Sequence, residues 1–199
     1  DRQQLHRHAA PAWGRVPAPV FFVSDERLLP DSADPIILFD TPDEADALGY
    51  HSETPDGRIY GRVFTKPVLD AGGTVLKGEL SLSVVLSHEV LEQFIDPDLN
   101  LWADGEDGKM YAMEVCDPVE SDSYVVTGRR KPVALSNFVF PEWFDRENRP
   151  GARFDYLGLL KKPFTMTKGG YMVIFQNGKE KDTKAARYPA WKRKSKKHG

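Results

Sequence analysis

Three ionisable residues stand inside an apolar run: S-L-S-V-V-L-S-H-E-V-L-E-Q-F-I-D-P-D, residues 81–98, sets His88, Glu89 and Glu92 among Leu82, Val85, Leu86, Val90, Leu91, Phe94 and Ile95. The apolar positions recur at helical spacing, Ser81 or Ser83 can cap the start and Pro97 stops the run, so the stretch reads as a helix. Apolar on nearly every side, such a helix belongs in a core. Charged groups are costly there unless they are paired, protonated or bound to a metal. His88 and Glu92 are four apart and lie on one face, where both can reach a single ion, while Glu89 points to the side.

This is the arithmetic of the H-E-x-x-H metallopeptidase helix, in which two ligands hold zinc and the glutamate beside the first activates the attacking water. Here Glu92 stands where the second histidine would be. Oxygen is an acceptable zinc ligand, but the extra carboxylate lowers the net charge of the site and makes the metal a weaker Lewis acid. A second cluster, E-V-C-D-P-V-E, brings Glu114, Asp117 and Glu120 after a turn-rich link and can supply a further ligand. The spacing leaves open whether Glu114, Asp96, Asp98 or Asp117 fills that place.

Taken together, S-H-E-V-L-E-Q-F-I-D-P-D-L-N-L-W and the later E-V-C-D resemble the S-H-E-x-x-E, then D-P or N-P, then N-x-W, then E-I-x-D-x-C pattern of the EXORDIUM-like (phosphate-induced) proteins. The same pattern is shared by uncharacterised actinobacterial and bacteriophage proteins, and the resemblance covers roughly residues 49 to 117. The pattern is itself similar to zinc metallopeptidases of the gluzincin kind. The resemblance implies one zinc ion held by His88, Glu92 and Glu114, with Glu89 as the catalytic base and Asp96 and Asp117 behind the ligands. Cys116 precedes Asp117, whereas the pattern places its cysteine after the aspartate, and Cys116 receives no role.

The elements that must position these residues follow from the flanking pattern. A-P-V-F-F-V-S at 18–24 and P-I-I-L-F-D at 35–40 read as central strands, and T-P-D-E-A-D-A at 41–47 as the start of a short helix. Residues 59–68 read as a strand, entered through a P-D-G turn, that by analogy with metallopeptidases would line the cleft above the metal helix. His51, just before that turn, can hydrogen-bond substrate, stabilise an oxyanion or, more commonly for such a residue, serve as a hydrogen-bonded structural group, and is grouped with Asp96 and Asp117 around the site. K-M-Y-A-M-E-V at 109–115 alternates like a strand and sets Glu114 at its end, where a ligand can be held rigidly. Residues 124–127 and 133–140 form an expected hairpin, and G-G-Y-M-V-I-F-Q at 169–176 the closing strand. The expected fold class is α+β, a mixed sheet packed on a central buried metallopeptidase-like helix.

With 199 residues and 40% hydrophobic content, the chain can bury one sizeable core. The domain reading is an N-terminal arm at 1–17, a single α+β domain at 18–177 and a basic C-terminal tail at 178–199. His6 and His8 fall in the arm and are read without a metal role. The net charge of −3 conceals an asymmetry: residues 179–199 hold nine Lys or Arg against two acids, and the rest eighteen against twenty-eight. K-R-K-S-K-K-H at 192–198 suits contact with nucleic acid or an acidic surface. No apolar run approaches the roughly 20 residues needed to span a bilayer. One cysteine excludes an internal disulfide framework. The expected location is cytoplasmic or virion-associated, for a soluble chain.

Two functions follow as expectations. The first is a zinc-dependent metallopeptidase-like hydrolase acting on a protein substrate. The second is a bacteriophage virion structural or assembly protein, bound to virion partners, that keeps a metallopeptidase-like core without catalysis.

Overall fold

A computed structural model describes residues 1–44, 47–106, 108–127, 131–147 and 149–184. The chain is α+β, with helices packed against three separate sheets. The first sheet is mixed: β1 (Ile36–Phe39) runs parallel to β3 (Ile59–Phe64), and β2 (Gly49–Glu53) runs antiparallel to β3 on its other side. The second is antiparallel, with β4 (Trp102–Asp104), β5 (Met110–Ala112), β8 (Tyr171–Gln176) and β9 (Lys179–Lys184) in that order. The third is the hairpin of β6 (Ser123–Thr127) and β7 (Pro132–Ser136).

The site helix runs over Leu82–Ile95, with Ser81 extended at its N-cap and Asp96, before Pro97, at its C-cap. It lies between β7 on one side and β3 and β2 on the other. Two serines one turn apart fasten it to β7. The Ser83 hydroxyl donates to the Ala134 carbonyl at 2.7 Å, and the Ser136 amide donates to the Ser87 hydroxyl at 2.8 Å. Leu91 and Ile95 enter the main core with Val115, Val119, Phe138 and Trp143, while Leu82 joins Val63 and Val68 in a smaller cluster beneath β3. Apolar contacts therefore fix the helix on both flanks, and its polar residues emerge between them.

Several expectations need correction. Residues 18–23 form no strand, and Phe21 and Phe22 are 48% and 87% exposed. Pro19 lacks an amide, no neighbouring strand pairs with the segment, and the Val20 carbonyl instead accepts from the Arg2 guanidinium at 2.6 and 3.0 Å. β1 does form, but at the edge of its sheet, with Ile37, Leu38 and Phe39 exposed. β3 ends at Phe64 and a short helix, Thr65–Asp70, replaces the rest of the expected strand. The residues described in 41–47 are not helical, and 45–46 lie outside the described residues.

The N-terminal segment is not a free arm. Arg2–Gln4, Leu5–Ala9 and Ala10–Ala12 run on as helical pieces, the middle one with π geometry. Leu5, Ala9 and Ala10 are buried, and the Gln4 amide donates to the Ser136 carbonyl at 2.9 Å. His8 stacks on Tyr156 and shares a 2.8 Å hydrogen bond with the Tyr124 hydroxyl. The segment assigned to the tail begins instead with β9, paired along its length with β8. The rest of the basic tail, 185–199, including K-R-K-S-K-K-H, lies outside the described residues. Among the described residues no helix is long and apolar enough to cross a membrane, and Cys116 is a buried free thiol.

Candidate metal centre

His88 and Glu92 come from adjacent turns of the site helix, and the helix delivers both to one spot: His88 Nε2 lies 2.9 Å from Glu92 Oε2. Asp117 enters from the turn after β5, its Oδ1 3.2 Å from the same His88 nitrogen. The Asp117 side is held in place by backbone packing. A Cβ at Gly170 would run into the Pro118 carbonyl, so glycine there lets the start of β8 lie across the turn. The Thr167 amide donates to that carbonyl at 2.9 Å.

Glu92 is oriented from its other oxygen. The Cys116 amide donates to Glu92 Oε1 at 3.1 Å, leaving Oε2 toward the histidines. The Cys116 thiol lies 3.8 Å from the His88 carbonyl; burial, then the charge of Glu92, pushes its pKa up, which keeps it a thiol. Glu89 lies to the side of this pair, as the helical spacing requires, and faces β2. A Cβ at Gly49 would stand 2.8 Å from Glu89 Oε1, so this glycine makes room for the carboxylate beneath the strand.

His51 projects from the middle of β2 into the same space. Its Nδ1 is 3.6 Å from Glu89 Oε2 and 4.0 Å from Glu92 Oε2. A ring nitrogen of His51 and carboxylate oxygens of Glu92 and Glu114 lie within 4.8 Å of one another, and His88, Glu92 and Cys116 form a second such group. Glu114 sits two residues beyond β5, and its Oε2 is buried with no hydrogen-bond partner. His51 Nε2 is buried and unpartnered in the same way.

The electrostatics follow from burial. Removal from water raises the Glu92 carboxyl against the pull of His88, and raises that of Glu114 well above the usual range, with the charge of Glu92 adding to the effect. For His51, burial alone would lower the imidazole, but Glu89, Glu114 and Glu92 outweigh it and hold it up at about 10. His88 is likewise held well above its ordinary value: burial opposes this, and the Glu92 charge and the Asp117 contact overcome it. The Tyr171 phenol, at the start of β8, is raised by burial and then by the charges of Asp117, Glu120 and Glu92, which places it beside the Asp117 carboxylate.

The residues singled out in the sequence are thus drawn to one place, in a different grouping. Asp117 is the carboxylate at His88, and Glu114 stands with His51. Asp96 turns away onto the backbone after the helix, accepting from the Asn100 and Leu101 amides at 3.1 and 2.9 Å. Tyr171 and Gly49 carry no motif and emerge only from the fold. No protein-family model matches the chain, and neither does any curated protein or solved structure.

His88 Nε2 lies 2.9 Å from Glu92 Oε2 and 3.2 Å from Asp117 Oδ1, separations that two ligands of one zinc ion would also take, at roughly 3–3.5 Å.

Proposed function

We propose that the protein is a zinc-dependent, metallopeptidase-like hydrolase whose ion is held by His88, Glu92 and Asp117. The observation that carries this reading is the meeting of His88 Nε2 with Glu92 Oε2 and Asp117 Oδ1, beside a second helix carboxylate, Glu89, that belongs to neither contact. Bound there, zinc supplies Lewis acidity toward a peptide carbonyl and toward water.

The remaining work falls to side chains. Glu89, in the space under Gly49, accepts the proton of the attacking water on Oε2 and returns it to the departing amine nitrogen. His51, 3.6 Å from that oxygen, fixes the carboxylate's orientation. Burial of Glu89 and Glu92, 5% and 4% exposed, keeps water from screening these charges. The substrate class is a peptide or protein.

Glu89→Gln tests the assignment. The variant should retain its metal and lose hydrolysis by about 10²–10⁴-fold, the usual worth of a general base. Hydrolysis at the parent rate would remove Glu89 from the reaction.

A second reading keeps the same core for assembly in a particle such as a virion. It is favoured by the exposure of the apolar side chains of Phe21, Phe22, Ile37, Leu38 and Phe39. On this reading the purified chain self-associates or binds partner proteins and cleaves nothing; metal-dependent turnover would count against it.

A further inference from the structure

We propose that the site binds two divalent cations, the second held by His51, Glu92 and Glu114 beside the first at His88, Glu92 and Asp117. The inference rests on the reading above that the helix carries a cation.

Two observations support a second position. His51 from β2, Glu92 from the helix and Glu114 from beyond β5 bring donor atoms within 4.8 Å of one another, so three separate elements converge on one point. Two donors there are orphans: His51 is 8% exposed, and its Nε2 and Glu114 Oε2 are buried without partners. Buried polar atoms left without a partner are costly, and a cation would satisfy both.

Glu92 is common to both groups. Its Oε1 accepts from the Cys116 amide, and its Oε2 lies 2.9 Å from His88 Nε2 and 4.0 Å from His51 Nδ1, so this one carboxylate would be shared between the two positions. Imidazole with carboxylates suits zinc or manganese, and lacks the oxygen-only shell that calcium takes.

The test counts ions. Protein stripped with chelator is titrated with Zn²⁺, and bound metal is measured by elemental mass spectrometry after desalting. The wild type should hold two equivalents, and His51→Gln and Glu114→Gln one each, with folding checked by circular dichroism. The wild-type count stands even if a variant misfolds. One equivalent in the wild type, or a second equivalent that survives in both variants, overturns the second site and leaves the first untouched. No bound zinc in the wild type overturns both.

Discussion

The Cys116 amide donates to Glu92 Oε1 at 3.1 Å, so a backbone group 24 positions away in the chain sets the plane of the helix carboxylate. That bond leaves Oε2 as the oxygen at His88 and joins the helix to the turn that carries Asp117.

Gly49 gives the first prediction. Since a Cβ there would stand 2.8 Å from Glu89 Oε1 and 2.9 Å from Val85 Cγ1, Gly49→Ala must displace the carboxylate or the strand. The expected cost is about 1–3 kcal/mol of stability, with hydrolysis down on the order of 10–100-fold and metal content unchanged. Hydrolysis equal to that of the parent would show that the position of Glu89 under β2 does not matter.

The second concerns pH. His51 is held at about 10 in the folded chain against an ordinary 6.5: burial pulls it down, and Glu89, Glu114 and Glu92 more than offset this. A raised folded value means that its contribution is complete below 6.5 and is lost as the pH rises through about 10. Burial raises Glu92 and Glu114 too, with the same sign. Metal-free protein should therefore melt at lower temperature at pH 10 than at pH 6, by roughly 4–8 °C for a loss of about 2 kcal/mol. A melting temperature that rises over this interval in chelator would contradict the arrangement.

The N-terminal helical run supplies the third. Leu5 is 1% exposed within the main core, and Trp13 Nε1 donates to the Val139 carbonyl at 3.1 Å. Leu5→Ala should cost about 2–5 kcal/mol in denaturant unfolding. A cost below about 0.5 kcal/mol, as at an ordinary surface position, would mean that the segment is an appendage.

These residues also mark how far the sequence could be read. The site helix was legible because its apolar spacing, cap and stop all lie within one continuous stretch, and the i, i+4 geometry of His88 and Glu92 follows from that alone. The hairpin of β6 and β7 and the strand β8 were legible for the same reason. His51 was visible as a residue near the site, but its approach to Glu92 depends on the antiparallel register of β2 with β3, in which His51 faces Gly61, and no local pattern encodes that pairing. Asp117 reaches His88 through the bend after β5, and Glu114 comes within reach of Glu92 from the same stretch, placements that sequence spacing does not resolve.

Where the reading failed, a local signal was outweighed by tertiary context. The continuous apolar run at 18–24 looked like a core strand, yet it finds no strand partner. The N-terminal helical run was hidden by Pro11 and its charged residues. Pro11 sits near the start of the last helical piece, where its missing amide costs little, and the small residues Ala9 and Ala10 are buried there.

The central claim is that the helix carries a cation, and metal content read beside Glu92→Gln tests it most directly, because Glu92 faces every donor group. Protein purified without chelator should contain at least one equivalent of zinc by elemental mass spectrometry, and the folded variant essentially none. A folded wild type free of metal, or a variant with unchanged metal content, would contradict the account.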